Sequence, residues 1–347
     1  MSWYLENAKS IETELEVQAQ QYQLTLTKPP GALGQLEHVA IRLAGCQGQL
    51  HPELSNIHIS VFASDHGVAQ QGVSAFPQAV TSEMVKNFAQ GGAAITVLAK
   101  QLNAQFEVVN LGTIFPVDAH DQIVDARIGS GTKDFSQEKA MSQAELQQAL
   151  LAGQSAALRA KQRESHLFIG GEMGIANTTS ASALAAAYLN LPAIELVGPG
   201  TGLSADQLPK KAQIIEAAIE LHQANNPIEI LQCLGGFEIV GLVGAYIACA
   251  QQGTPVLVDG FISTAAALIA QAINPSIKPW LFYSHQSHEP GHIKLLAALN
   301  AQPLLNIGMR LGEGSGAAVV VSLMQSAVAL HNEMATFAQA GVSESED

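Results

Sequence analysis

The sequence predicts an α/β fold built on a doubly wound, mostly parallel sheet. Three observations predict it. Short β-branched runs alternate with Ala-rich helical stretches along most of the chain. Several of those runs pass directly into glycine and polar residues: VFASDHG (61–67), LFIGGEMG (167–174), VLVDGFIS (256–263) and LFYSHQSHEPGH (281–292). The length of 347 residues suits one large domain, or one large and one small.

Taken in order, residues 3–22 read as a helix with Leu5, Ile11, Leu15 and Tyr22 as its apolar positions. LTKPPGALG (26–34) stops it, because Pro29, Pro30 and two glycines cannot continue a helix. A second helix spans about 35–45. The candidate strands are 57–63, 106–109, 167–169, 255–258 and 280–283. Helical stretches lie between them at 79–102, 142–163, 177–189, 208–223, 238–251 and 262–273. A last Ala/Val-rich helix, 316–338, starts directly after a glycine loop, and the tail GVSESED reads as disordered. No internal repeat is visible.

Composition narrows the function. Charged residues are 13% of the chain, against about 25% in a typical globular protein. So little solvated surface predicts at least a dimer. A net charge of −14 argues against nucleic-acid and anionic-membrane partners, which need a positive face, but leaves small anionic substrates open. Cys46, Cys233 and Cys249 are scattered, as reduced thiols of a cytosolic protein would be. The N-terminus lacks a signal-peptide pattern. The longest apolar runs, 240–250 and 317–324, fall short of the roughly 20 residues of a membrane helix. The expectation is a soluble cytoplasmic enzyme.

In a doubly wound sheet the strand ends share one edge, where ligands bind. That edge should collect Asp65, His66, Glu172, Asp259, Ser284 and His285. GGEMGIANTTSASA (170–183) is a strand end, a glycine turn and a helix start, with Asn177 or Thr178 as N-cap. It is either an anion site of bare N–H groups or a tight turn needing glycine only for its angles. It matches neither GxGxxG nor a Walker loop. VGPGTGL (197–203) leads to Lys210 and Lys211, which are either phosphate cations or a solvated pair. His285, His288 and His292 invite a zinc reading, but the spacing is not HExxH and Pro290 and Gly291 break any shared helical face. Hydrogen-bonding or substrate-contacting histidines are expected instead, with no metal. In GMRLGEGSGAA (308–318), Glu313 lies between Gly312 and Gly314, which suits close approach to a ligand. Arg310 stands nearby to hold an anion or pair with Glu313. The alternative for Glu313 is a helix-capping glutamate.

KPPGALGQLE (28–37), DHGV (65–68), GEMGIANTT (171–179), GPGTGL (198–203), LGGFEIVG (234–241), LVDGFIS (257–263), SHQSHEPGH (284–292) and MRLGEGSGAA (309–318) occur in that order. Together they resemble the nicotinate-nucleotide–dimethylbenzimidazole phosphoribosyltransferase family over about residues 28–330. The resemblance implies a Rossmann-like domain over 49–316 and a small helical domain from the chain ends, 1–48 plus 317–347. It implies a homodimer, with no metal and no cofactor. The implied substrates are nicotinate mononucleotide and dimethylbenzimidazole, and the implied products are α-ribazole phosphate and nicotinate for the cobalamin lower ligand.

The resemblance also implies roles by position. Glu313 matches the general base and Glu172 the acidic residue beside the substrates. Gly174, Asn177, Thr178 and Lys211 match positions near the phosphate. Ser284 and Gly291 fall in the segment over the ribose phosphate. Phe76, Met84, Met173 and Leu311 fall in the pocket for the aromatic base, where the bulky Phe76, Met84 and Met173 make either ordinary core or a tight apolar slot for a planar ring.

Overall fold

The computed structural model describes residues 2–200 and 202–343. Among them, six strands form one sheet: β1 (Ile57–Ser64), β2 (Gln105–Gly112), β3 (Ile123–Asp125), β4 (Leu167–Met173), β5 (Val256–Val258) and β6 (Leu281–Tyr283). Their order is β3-β2-β1-β4-β5-β6, and every neighbouring pair is parallel. The order reverses between β1 and β4, which makes the doubly wound arrangement expected from the alternating pattern.

The helices are α1 (Thr13–Thr25), α2 (Gln35–Gln47), α3 (Ala79–Gln90), α4 (Ala94–Gln101), α5 (Gln143–Gln162), α6 (Asn177–Leu189), α7 (Leu208–His222), α8 (Pro227–Leu234), α9 (Phe237–Gln252), α10 (Phe261–Ile273), α11 (Pro290–Leu299), α12 (Ser315–Glu333) and α13 (Phe337–Ala340). α9 packs on β1, β2 and β4, and α5 packs on α9. Glycine makes that helix pair possible. A Cβ on Gly153 would collide with the carbonyl of Gly241, and one on Gly244 with that of Leu150. At the chain ends, α1 and α12 both pack against α2. Among the described residues, no helix is long and apolar enough to cross a membrane.

β1 is buried along its whole length although it carries His58 and Ser60. Glu107 of β2 lies against them, although His58 Nδ1 is buried without a partner among the described residues. Its carboxylate accepts from Ser60 Oγ at 2.7 Å and twice from Arg159 of α5 at 2.8 Å. Burial opposes ionisation of Glu107, but the hydrogen bonds from His58 and Arg159 outweigh it and hold the carboxyl down at about 2.

Several boundaries differ from the sequence reading for identifiable reasons. Residues 3–22 are not one helix. Trp3–Leu5 forms a single 3-10 turn, and α1 begins only at Thr13. The backbone between them is claimed by partners far along the chain: Gln251 and Asn274 amides bond the Glu6 carbonyl, and Trp280 Nε1 bonds the Lys9 carbonyl. The stretch 79–102 breaks into α3 and α4 at Gly91, which takes a φ of +81°. Trp280 belongs to a 3-10 helix, not to β6. The last helix ends at Glu333, with α13 following. β3, α8 and α11 were not anticipated, although Asn226 followed by Pro227 gives α8 an N-terminal signature. Residues 344–347 of the tail lie outside the described residues.

Candidate active site

A cavity of about 330 Å³ opens at the carboxyl ends of β4, β5 and β6. One wall is apolar: Phe76, Val80 and Met84 from the segment after β1, Met173 from the end of β4, and Leu311. Phe76 and Leu311 are 51% and 59% exposed, so they form the mouth. The lining also carries the polar groups of Glu172, Asp259, His285, Glu289 and Glu313. Asn177, Thr178, Gly200 and Arg310 line it as well.

Glu313 sits in a strained turn. Gly312, Glu313 and Gly314 have φ of +88°, +65° and +86°. A left-handed non-glycine residue costs on the order of 1 kcal/mol or more, so the surroundings must impose it. They do so from three directions. The Glu313 N–H donates to Glu172 Oε1 at 3.3 Å, and the Gly314 N–H donates to Asp259 Oδ2 at 3.1 Å. Gly171 lies so close that a Cβ there would collide with the Glu313 carbonyl.

Glu313 is only 7% exposed. It accepts the N–H of Ile95, the second residue of α4, while Oε2 is buried without a partner among the described residues. Burial, reinforced by the nearby Asp259 charge, overcomes that hydrogen bond and pushes its pKa up to about 7. Glu313 does not cap the helix that follows it. Gly314 is the N-cap of α12 and offers no side chain. The capping alternative therefore fails for α12, though the carboxylate does meet the start of α4.

Glu172 is more deeply buried. Oε1 accepts from Glu313, and Oε2 makes a short hydrogen bond with Asn177 Nδ2. Burial raises its pKa well above the usual carboxylate value, and the charges of Asp259 and Glu238 raise it further. Asn177 thus spends its side chain on Glu172. Neither it nor Thr178 is the N-cap expected from the sequence: that position is Ala176, at φ +79°.

The structure gathers most of the expected residues, but not all. Gly174, Asn177, Thr178, Glu172, Glu313, Phe76, Met84, Met173 and Leu311 line the cavity. Lys211, Ser284 and Gly291 do not; they lie behind its wall. Lys211 is 1% exposed, and its Nζ donates to Thr178 Oγ1 at 2.9 Å. Burial lowers its pKa to about 8, against the favourable charge of Glu289. Its neighbour Lys210 is exposed. Ser284 Oγ donates to the Asp259 carbonyl at 3.2 Å, and Gly291 gives room to the Leu196 carbonyl.

Asp65 and His66 share the strand edge but stay beneath the cavity. Asp65 Oδ2 accepts the Ile114 N–H at 2.8 Å, and His66 pairs with Glu238 at 2.7 Å, both fully buried. The three histidines of 285–292 do not converge. His285 lines the cavity, His288 is exposed, and His292 uses both ring nitrogens on Thr264 and the Ser287 N–H. Burial drives the His292 pKa down to about 3.

Sequence reasoning placed Asp259 at the strand edge but gave it no role, and it singled out neither Glu289 nor Ser287, which also line the cavity. The signal for Glu289 is an acid directly before Pro290 in SHQSHEPGH, at the start of α11. In the 197–203 loop, Gly200 lines the cavity, with its carbonyl 3.4 Å from Arg310 Nη1. Thr201 of that loop lies outside the described residues.

The arrangement offers two chemistries side by side. The apolar wall suits a planar, uncharged ring. Among the polar lining residues, Glu313 has one buried oxygen without a partner among the described residues and a pKa pushed up to about 7. Beside it, α6 starts without a side-chain cap, although the Asn177 and Thr179 N–H groups donate to the Gly174 and Ala176 carbonyls.

Comparison with known proteins places these features in context. A family model described as phosphoribosyltransferase matches residues 8–342. The chain is 53% identical over 345 residues to the nicotinate-nucleotide–dimethylbenzimidazole phosphoribosyltransferase of Pseudomonas fluorescens Pf-5, spanning 99% of this chain and 98% of that protein. It is 52% identical to the Azotobacter vinelandii protein of the same name over the same shares. The solved structure of CobT from Thermus thermophilus superposes with a TM-score of 0.92 at 42% identity, covering 96% of this chain and all of that one.

Proposed function

Because this chain belongs to the nicotinate-nucleotide–dimethylbenzimidazole phosphoribosyltransferase family, we propose that its cavity transfers the phosphoribosyl group of nicotinate mononucleotide to dimethylbenzimidazole. The products are α-ribazole phosphate and nicotinate, for cobalamin synthesis. The observation that carries the assignment of roles is the Glu313 carboxyl: on the cavity, one oxygen free, pKa near 7.

The chemistry asks for such a group. The bond from ribose to the pyridinium nitrogen is weakened by the ring's positive charge. As nicotinate leaves with the bonding pair, positive charge develops on the ribose ring. The azole attacks through one nitrogen and must lose the proton on its other nitrogen. Glu313 Oε2 takes that proton, and attack opposite the leaving nicotinate inverts the anomeric centre from β to α. A positioned base of this kind contributes about 10²–10⁴-fold.

The phosphate is assigned to the start of α6, against Gly174, Thr178 and Gly200, with Arg310 at hand. Lys211 acts from behind, through its hydrogen bond to Thr178. The aromatic acceptor lies against Phe76, Val80, Met84, Met173 and Leu311. That wall is apolar throughout, so phenols are a second acceptor class to test, since their O–H proton also needs a base.

The homodimer, the cytoplasmic location and a small domain of residues 1–48 and 317–347 belong to the same proposal. The packing of α1 and α12 on α2 supports that domain. The test incubates the protein with nicotinate mononucleotide and a panel of azoles and phenols and reads product masses. No nucleotide product with any acceptor would remove the reading.

A further inference from the structure

We propose that Asp259 is the positioning residue for Glu313: by capping α12 from the end of β5, it holds the left-handed turn that aims the Glu313 carboxylate into the cavity. The proposal rests on the reading of Glu313 as base.

Asp259 follows the last residue of β5 and is 2% exposed. Its two oxygens are divided between two main-chain donors. Oδ2 accepts the Gly314 N–H at 3.1 Å, and Oδ1 accepts the Ala317 N–H at 2.7 Å. Gly314 is the N-cap of α12 and Ala317 its third residue. These are donors that a helix leaves unsatisfied at its start, and a carboxylate there is favoured by the helix dipole. A side chain at the N-cap ordinarily serves them. Here the N-cap is glycine, so the cap comes from a residue 55 positions earlier.

Glu313 immediately precedes the capped residue. Its φ of +65° is disfavoured for glutamate, and the cap removes the freedom to relax. Glu172, through the Glu313 N–H, secures the other side of the same peptide turn. Both Asp259 oxygens are occupied by main chain, so Asp259 acts through Glu313 and not on the substrate. Its third neighbour is His285, whose Nε2 lies 3.6 Å from Oδ1. Gly316 leaves the space for that ring: a Cβ there would collide with His285.

The charge of Asp259 has a separate effect that a structural cap would not have. It raises the proton affinity of Glu313. The other titratable or charged groups around Glu313 are Glu172, His285, Glu289 and Arg310 on the same cavity, with the N-terminus of α4 at Ile95. Removing Asp259 alone leaves all of these in place.

The test compares Asp259→Asn, Glu313→Gln, the double variant and Asp259→Glu in steady-state turnover of nicotinate mononucleotide and dimethylbenzimidazole, from about pH 5 to 9. Asp259→Asn keeps one acceptor oxygen and loses the charge. Its kcat is expected to fall about 10- to 100-fold, from a misplaced base, with KM for the nucleotide little changed. The acid limb of its profile is expected to move to lower pH. In the Glu313→Gln background, Asp259→Asn is expected to cause no further loss.

An unmoved acid limb, or an equal loss in both backgrounds, would overturn the proposal. If Asp259→Asn fails to fold by circular dichroism, Asp259→Glu decides. It keeps the charge and displaces the cap, so the limb should stay and kcat should fall; wild-type kcat would overturn the proposal. Normal turnover by Glu313→Gln would remove the base assignment itself, which is a different outcome from a silent Asp259→Asn.

Discussion

The main-chain N–H of Glu313 donates to the carboxyl of Glu172 at 3.3 Å, which ties these two of the cavity's acids together through backbone. Glu172 answers to Asn177 on its other oxygen. The proton affinity of one acid and the position of the other are therefore set by the same short chain of contacts.

Glu313→Gln removes the base while preserving shape. Turnover should fall about 10²–10⁴-fold with the fold intact, as read by steady-state kinetics and circular dichroism. In the parent protein, kcat/KM should rise with pH through about 7, because the base must be ionised to act. The stability sign runs the other way. A carboxyl whose folded pKa is raised favours folding below its unfolded pKa, and that advantage is lost as pH climbs through about 7. The melting temperature of Glu313→Gln at pH 8 should therefore equal or exceed that of the parent; a clear drop would contradict the burial argument.

Asn177→Ala strips Glu172 of a hydrogen bond inside a buried site. About 1–3 kcal/mol of stability should be lost, measured by urea unfolding. The Glu172 carboxyl should also become harder to ionise, since this donor is one of the contacts that lower its pKa. Unchanged stability and activity would mean that the contact carries neither.

Gly171→Ala places a methyl group against the Glu313 carbonyl. The turn must shift to admit it. We expect about 1–3 kcal/mol of destabilisation and a loss of kcat larger than the change in KM. A variant with parental kcat would show that the turn tolerates displacement.

Glu107→Gln tests the buried network on β1 and β2, away from the chemistry. Glu107 is held at about 2, so its contribution to stability is complete above its unfolded pKa and disappears as pH falls from about 4 towards 2. The variant should lose about 1.5–3 kcal/mol at pH 7 and converge on the parent in acid, read by unfolding at several pH values. Its turnover should be unaffected.

Much of the architecture is legible in the residues alone. Alternating β-branched and Ala-rich stretches are local patterns that follow from the two periods of strand and helix, and they specified the doubly wound sheet. Strand ends running into glycine and acid placed Glu172 and Asp259 on the ligand edge, and a carboxylate between two glycines marked Glu313.

How these groups are used depends on the folded arrangement. That Asn177 serves Glu172 and not the helix start, that Lys211 stands behind Thr178, and that Asp259 caps a helix 55 residues away are contacts between distant segments. Hydrogen bonds of that kind have no period to read. The N-terminal segment shows the same limit: side chains of Gln251, Asn274 and Trp280 claimed the backbone carbonyls that a helix over residues 3–22 would have used. Composition indicated that charged side chains are few. Burial and approach in three dimensions decided which of them can change protonation near neutral pH, because desolvation and neighbouring charge depend on the fold.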